Sequence, residues 1–374
     1  MGRTAARVRV LVVDDSPQVR RALVEALSAD PGIEVVGSAS DPYLARDRIV
    51  SLQPDVLVLD SELPQVSGVE FVRQLMPQYP LPVVLFGEAG PDGQHAILAA
   101  LEAGAVDFVA GSGPGVSLTD PGRLLELRTK VKIAAIADLS RWRKPAPASS
   151  APPVRPARRV VRPGLLARGE ARQMIVIGAS TGGTEAVHAV VSRYPADGPP
   201  VLVVQHMPGG FTRKFAERLD ALCPMRVKEA ASGDRIVPGQ VLIAPGGLHM
   251  RVRRSGAGYE VDCRPGDKVS GHCPSVDVLM HSVAEQVGKG AVGLMLTGMG
   301  RDGTAGLLAM RRAGARTLAQ DEASSVVFGM PKEAYAAGAA EALVALDRLA
   351  EQSLGLLGWI QTRAGKAAEC ADVG

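Results

Sequence analysis

Short apolar runs recur at regular spacing over the first 135 residues, and stretches with helical periodicity separate them. In the first such stretch Val19, Leu23 and Leu27 fall on one helix face. The pattern predicts five β-α units that form a parallel sheet. The predicted strands are Arg9 to Val13, Val35 to Ala39, Val56 to Leu59, Val83 to Phe86 and Val106 to Val109.

The alternation of apolar runs and helical stretches resumes after residue 172 and predicts a second α/β domain, doubly wound and mostly parallel. A β-hairpin is expected around Ser255-Gly256-Ala257-Gly258. Helices are expected near residues 211–222, 276–287 and 305–313. The predicted strands are Met174 to Ile177, Val201 to Val204, Val241 to Ile243, Ala291 to Leu296 and Thr317 to Ala319.

Between the two periodic regions, proline, alanine, serine and arginine dominate. Residues 141–172 contain nine Lys and Arg and one acid, Glu170, which gives a local charge of +8. This composition predicts an extended linker. Its arginines either keep the linker solvated or dock it on an acidic surface. The predicted organisation is a first domain at 1–136, a linker at 137–172, a second domain at 173–355 and a tail at 356–374.

Composition narrows the classes of function. At 374 residues two domains are expected, and a content of 46% hydrophobic but only 3% aromatic residues predicts an aliphatic core. The net charge of +3 and the absence of a helix-turn-helix pattern argue against a nucleic-acid partner. The four cysteines lack metal or disulfide spacing, and no signal peptide or apolar run of 18 residues is present. We expect a cytoplasmic protein that does not insert into membranes.

Acidic residues follow two of the predicted strands in the first half. Asp14 and Asp15 come after the first strand, and Asp60 ends the third. The carboxyl ends of parallel strands lie at one edge of a sheet, so these carboxylates should converge there and repel one another unless a hard cation such as Mg²⁺ binds them. The alternative is that the aspartates only cap helices and begin turns.

Residues 7–135, with Val12-Val13-Asp14-Asp15-Ser16 and Leu59-Asp60-Ser61-Glu62-Leu63-Pro64, resemble a response-regulator receiver domain. The resemblance implies that Asp60 is the phosphoacceptor and that a histidine kinase of the chemotaxis type is a partner. It also implies that Asp14, Asp15, Asp60 and the backbone carbonyl of Glu62 hold Mg²⁺.

The receiver pattern is broken at two positions. Gly87 follows the fourth strand where receivers usually carry serine or threonine, and Gly111 follows the fifth where they usually carry lysine. The usual hydroxyl and ammonium groups contact the phosphoryl group, and each such contact is typically worth about 1.5 to 3 kcal/mol. We therefore expect that the receiver binds metal but couples weakly to phosphorylation.

In the second half, three polar residues follow strand ends. Ser180 lies on the turn Gly178 to Gly183, His206 follows the run Val201 to Val204, and Asp302 follows Leu294 to Leu296. If the three strands are neighbours, these side chains meet in the crevice where open sheets bind ligands and could form a hydrolytic triad. Alternatively, the glycine-rich turn binds a phosphate or nucleotide at a helix N-terminus, although it lacks the P-loop lysine.

Several motifs in the second half resemble the chemotaxis protein-glutamate methylesterase (CheB) family over about residues 173–350. The resemblance implies a serine hydrolase, without a catalytic cofactor, that removes methyl groups from glutamate γ-methyl esters of chemoreceptors and deamidates receptor glutamines. It also implies that Ser180, His206 and Asp302 are catalytic and that the amides of Thr181 and Met299 form the oxyanion hole. Cys273 replaces an arginine of the family pattern. The motifs are Gly178 to Ala186, Gln205 to Pro208, Phe211-Thr212, Phe215 to Leu219, Ile243 to Gly246, Pro274 to Asp277, Leu296 to Gly300 with Asp302-Gly303, and Val327 to Pro331.

Overall fold

The computed structural model describes residues 6–63, 66–87, 90–110, 120–140 and 172–359. The chain divides into two compact units, Met1–Ser150 and Ala151–Gly374, and each has its own sheet. The predicted linker and tail lie mostly outside the described residues, so the domain limits given above stay predictions. No helix in the described ranges has both the length and the apolar character needed to cross a bilayer.

The first unit is the predicted five-stranded parallel sheet with helices between the strands. Its strand order, β2-β1-β3-β4-β5, is the flavodoxin-like order. The elements are β1 Val8–Val13, α1 Pro17–Ser28, β2 Ile33–Ala39, α2 Pro42–Leu52, β3 Val56–Asp60, α3 Gly68–Gln78, β4 Val83–Gly87, α4 Pro91–Glu102, β5 Asp107–Ala110 and α5 Pro121–Ala134.

The ends of β1 and β3 lie side by side because the two strands pair directly. Val13 is the register partner of Leu59, so the residues that follow, Asp14 and Asp60, meet at the carboxyl edge of the sheet. Both strands are buried on both faces, which explains their unbroken apolar runs. The sheet thereby brings to one edge the carboxylates that the sequence separates by 46 positions.

The second unit is built on a seven-stranded, entirely parallel sheet of order β14-β13-β12-β6-β7-β9-β8. Its central strands carry the aliphatic core. The elements are β6 Met174–Ala179, α6 Gly183–Val191, β7 Val201–Gln205, α7 Phe211–Leu222, β8 Arg226–Glu229, β9 Gln240–Ile243, β10 His249–Ser255, β11 Gly258–Arg264, α8 Val276–Gln286, β12 Ala291–Met295, α9 Thr304–Arg312, β13 Arg316–Gln320, α10 Met330–Ala336, β14 Ala342–Val344 and α11 Leu346–Leu356.

Two edge strands of this sheet are not among the strands predicted from the sequence. Strand β8 has the sequence Arg226-Val227-Lys228-Glu229, in which only Val227 is buried, and β14 has three residues. The predicted hairpin is confirmed as β10 and β11, joined by Gly256 and Ala257. Its inner residues join the core around α8, where the Val252 amide donates to Ser282 Oγ at 2.9 Å. The hairpin therefore packs against α8 and is bonded to it.

Candidate active site

Ser180, His206 and Asp302 meet at one edge because they follow three adjacent strands, β6, β7 and β12. Strand β6 lies in the middle, and the chain moves to β7 on one side and later to β12 on the other. The pairing continues past the strand ends: the Ser180 amide donates to Thr297 O at 3.0 Å, and the His206 amide donates to Ala179 O at 3.1 Å. This is the reversal of strand order at which open α/β sheets form ligand crevices.

The backbone of Ser180 is held from three directions. Besides the bond to Thr297, its carbonyl accepts from the Gly183 amide at 2.7 Å and from Gln205 Nε2 at 2.8 Å. Gly182 adopts φ +74° as the N-cap of α6, a conformation that favours glycine. A partly exposed serine is thus placed on a rigid strand-to-helix turn, as a nucleophile requires.

His206 is bonded to Asp302, with 2.8 Å between Nε2 and Oδ2. Only 7% of the His206 side chain is exposed. Its Nδ1 is buried and has no hydrogen-bond partner among the described residues. In the tautomer that donates from Nε2, Nδ1 carries the lone pair that can accept a proton. Ser180 Oγ therefore makes no hydrogen bond to His206 Nδ1 in this structure. In enzymes of this kind such bonds commonly form or shorten only when substrate binds.

The Asp302 carboxylate accepts four hydrogen bonds, three of them at the start of α8. Besides His206, the donors are Ser275 Oγ at 2.7 Å, the Val276 amide at 2.8 Å and the Asp277 amide at 3.2 Å. Burial by itself would raise the pKa of Asp302, but the bond to His206 and its charge, with Ser275 and Val276, lower it to about 2. The helix N-terminus favours the same ionised state.

The sequence alone assigns no role to the residues that anchor this carboxylate, although Ser275, Val276 and Asp277 lie in one of the family motifs. Ser275 is the N-cap of α8, and its amide donates to Nδ1 of the buried His249 at 3.2 Å. His249 Nε2 in turn donates to Asp267 O at 2.8 Å. A serine that precedes an apolar helix is a cap signal, so Ser275 could have been found from the sequence. His249 could not, because its partners come from distant loops.

His272 lies flat against the ring of His206. The two ring centroids are 3.7 Å apart, and the planes differ by 6°. The bond to Asp302 fixes one atom of the His206 ring, and the stacking fixes its plane. The sequence shows His272 only as a histidine without metal-ligand spacing.

Glycines let the surrounding segments approach closely. A Cβ built on Gly298 would lie 2.7 Å from Ser180 Cβ, so only glycine allows the loop after β12 to pass this serine. Val276 packs into spaces left by Gly178 and Gly303, and a Cβ on Gly303 would lie 2.5 Å from Val276 Cγ1. These contacts bring the start of α8 down onto the sheet.

The loop after β12 also places the two residues whose amides are the predicted oxyanion donors. Thr181 is buried, its carbonyl accepts from Thr297 Oγ1 at 3.0 Å, and Met299 is 42% exposed. The Gly298 carbonyl accepts from the Met330 amide at 2.7 Å. The donor roles of Thr181 and Met299 stay predictions.

In the first unit, Asp14, Asp15 and Asp60 have carboxylate oxygens within 4.8 Å of one another. Burial raises the pKa of Asp14 to about 6 and that of Asp60 to about 7, with a further rise from the neighbouring carboxylates. Such crowding of oxygen ligands fits a hard divalent cation. Among the described residues this is the only cluster of three or more His, Cys, Asp or Glu with that geometry. The proposed Glu62 carbonyl ligand stays a prediction.

Of the two replaced switch positions, Gly111 lies outside the described residues. Gly87 is buried at the end of β4, beside Ser61, which follows Asp60. A Cβ built on Gly87 would lie 2.9 Å from Ser61 Cβ. The side chain of Ser61 therefore occupies the space that a side chain at position 87 would need.

Comparisons with known proteins match both units. A family model described as CheB methylesterase matches residues 175–353, and one described as a response regulator receiver domain matches residues 10–112. A protein-glutamate methylesterase/protein-glutamine glutaminase of Syntrophotalea carbinolica is 56% identical over 358 residues, which cover 94% of this chain and 98% of that protein.

Two further proteins are similar to this chain. A protein of the same name from Bordetella bronchiseptica is 48% identical over 355 residues, covering 94% of this chain and 98% of that protein. The crystal structure of the Thermotoga maritima CheB methylesterase catalytic domain is 36% identical, with a TM-score of 0.48, and the match covers 49% of this chain and 98% of that one.

Proposed function

The chain belongs to the family of protein-glutamate methylesterases/protein-glutamine glutaminases, and we propose on that premise that Ser180, His206 and Asp302 form its catalytic triad. The enzyme removes methyl groups from glutamate γ-methyl esters of chemoreceptors, releasing methanol, and deamidates receptor glutamines. The observation that carries the triad is the 2.8 Å bond between His206 Nε2 and Asp302 Oδ2 at the junction of three adjacent strands. The relatives do not favour the alternative of a phosphate-binding module.

Each residue of the proposed triad has a separate role in the reaction. Ser180 Oγ attacks the γ-carbonyl carbon while His206 Nδ1 takes its proton. Asp302 keeps the Nε2-H tautomer and stabilises the imidazolium. The amides of Thr181 and Met299 bind the oxyanion. Protonation by His206 then expels methanol from an ester or ammonia from an amide, which leaves a γ-glutamyl ester on Ser180.

Water completes the reaction by the same route. His206 removes a proton from water, which attacks the γ-glutamyl ester, and Ser180 leaves with that proton. Both substrates therefore yield glutamate through one intermediate. The direct test is release of methanol from a methyl-esterified receptor, measured with and without an acyl-phosphate donor. Release of methanol without formation of a Ser180 ester would contradict this scheme.

His272 is expected to act as a positioning residue for His206. Replacing it with alanine removes the stacked ring, and an aromatic pair contributes about 0.5 to 1.5 kcal/mol, so kcat should fall roughly 2- to 12-fold. KM should change little, because the ring does not contact the receptor in this scheme. The exposed His281 of α8 provides a matched control. Equal kcat values for both alanine variants would show that the stack does not orient His206.

The first unit is proposed to receive a phosphoryl group on Asp60 and to bind Mg²⁺ through Asp14, Asp15, Asp60 and the Glu62 carbonyl. When bound, the metal neutralises the carboxylates and the incoming phosphoryl group. The carboxylates provide the hard oxygen ligands that Mg²⁺ prefers. A chemotaxis-type histidine kinase is the proposed source of the phosphoryl group.

Mg²⁺ binding can be measured without phosphorylation. Asp14→Asn and Asp60→Asn each remove one negative ligand, so each should weaken Mg²⁺ binding by about tenfold or more in calorimetric titrations at pH 8. The exposed Asp47, on α2, gives the matched control Asp47→Asn. Equal affinities for all three variants would mean that the metal does not bind at these carboxylates.

A further inference from the structure

A buried hydroxyl without a hydrogen-bond partner lies next to the proposed phosphoacceptor. Ser61 directly follows Asp60, and only 1% of its surface is exposed. Its Oγ makes no hydrogen bond within the part of the chain that the structure describes. A buried hydroxyl is costly to leave unpaired, and native proteins rarely do so. We therefore expect the Ser61 hydroxyl to form a hydrogen bond with a ligand that binds next to Asp60.

Ser61 occupies the space that a side chain at position 87 would fill. A Cβ built on Gly87 would lie 2.9 Å from Ser61 Cβ and closer still to its Oγ. A serine or threonine at 87 would collide with Ser61. The hydroxyl that receivers usually present from the fourth strand is thus missing at 87, while another hydroxyl reaches the same volume from the third.

The Ser61 backbone is fixed by its neighbours, so its hydroxyl adjusts by rotation rather than by movement of the chain. The Gly68 amide at the start of α3 donates to Ser61 O at 3.2 Å. On the other side, the Ser61 amide donates to Phe86 O in β4 at 3.4 Å. Asp60 Oδ1 accepts from the Glu62 amide at 3.0 Å, which holds the carboxylate beside the same segment.

We infer that the Ser61 hydroxyl donates a hydrogen bond to a phosphoryl oxygen on Asp60 and replaces the hydroxyl missing at Gly87. The inference rests on the proposed role of Asp60 as the phosphoacceptor. An acyl phosphate donor transfers its phosphoryl group to an Asp60 carboxylate oxygen, and the donor leaves as a carboxylate. The receiver accordingly keeps a hydroxyl contact that its sequence pattern had suggested was lost.

The first experiment titrates the full-length protein, in the presence of Mg²⁺, with beryllium fluoride, which coordinates a carboxylate oxygen and presents fluorine acceptors in place of phosphoryl oxygens. Ser61→Ala should weaken this binding by about tenfold or more, because a hydrogen bond to a charged group is lost. The exposed Ser51 on α2 provides the control Ser51→Ala, which should bind like the wild type. Unchanged Mg²⁺ affinity shows that Ser61→Ala is folded.

The second experiment exchanges the two positions. Gly87→Ser alone should destabilise the first unit, because the new side chain collides with Ser61. The double variant Ser61→Gly/Gly87→Ser removes that collision and places a serine hydroxyl in the same volume from β4 instead of from the end of β3. It should bind beryllium fluoride within about threefold of the wild type. If it binds as weakly as Ser61→Ala, a hydroxyl in this volume does not restore binding and the inference is wrong.

The outcomes separate this inference from the one on which it rests. Wild-type affinity in Ser61→Ala, together with loss of binding in Asp60→Asn, overturns the role of Ser61 and leaves Asp60 as the phosphoacceptor. Equal binding in Asp60→Asn and the wild type, or no binding by the wild type, overturns both. Methanol release enters neither comparison, so the esterase assignment is tested independently.

Discussion

Ser180→Ala is expected to reduce methanol release from a methylated receptor by about 10⁴-fold or more. Removal of the nucleophile eliminates the γ-glutamyl ester, and only transition-state binding by the rest of the site remains. The variant should fold normally, since the bonds that fix residue 180 involve its backbone: its amide with Thr297, and its carbonyl with Gly183 and Gln205. The measurement is initial methanol release at saturating receptor.

A matched control and a chemical label make the result specific. Ser192, the C-cap of α6, lies in the same unit, and Ser192→Ala should keep full activity. An organophosphonate should label the wild type and the Ser192→Ala variant at Ser180, and should not label Ser180→Ala. Unimpaired methanol release by Ser180→Ala would refute the covalent mechanism.

Asp302→Asn is expected to lower kcat by about 10⁴-fold, as loss of the acid does in other serine triads. The amide that replaces the carboxylate cannot accept all four bonds now made by His206, Ser275 and the amides of Val276 and Asp277. It therefore no longer holds the His206 tautomer. Ser275→Ala removes one donor but keeps the carboxylate, so its kcat should fall far less.

The stability of Asp302→Asn should depend on pH differently from that of the wild type. Because the folded-state pKa of Asp302 is about 2 and the usual pKa of an aspartate is 3.8, the ionised carboxylate contributes about 2 kcal/mol to stability. That contribution is present above about pH 4 and is lost as the pH falls through 2. Burial raises the pKa of Asp277, so the ionised Asp277 carboxylate lowers the stability of the fold above pH 4, opposite to the effect of Asp302.

Urea unfolding of the wild type and Asp302→Asn between pH 2 and pH 4 measures the effect. The difference in unfolding free energy between the two proteins should shrink as the pH falls. A constant difference over this range would show that the Asp302 carboxylate is not stabilised by its buried partners.

The main strands and the three positions of the proposed triad follow from local sequence pattern. Apolar runs define β6, β7 and β12, and the topology of parallel sheets places their carboxyl ends together. The edge strands β8 and β14 give a weaker signal, because β8 has a single apolar residue among charged ones and the apolar run of β14 is only three residues long. Local pattern therefore predicts the centre of the sheet better than its edges.

The residues that support the proposed triad could not be predicted in the same way. His249 and His272 acquire their roles only when the hairpin and the loop before α8 fold against the sheet. Ser61 and Gly87 are separated by 26 positions and are both small, so neither stands out alone. Their relation becomes visible only when the volume around Gly87 is known.

Gly178 and Gly303 lack the methyl groups that would collide with Val276, so the start of α8 can lie close to the sheet. The carboxylate of Asp302 reaches both His206 and the start of α8 only while this helix lies close to the sheet. The enzyme could therefore be inactivated at positions that touch no substrate. A family member with bulkier residues there could keep all three triad side chains and still be a non-catalytic paralogue.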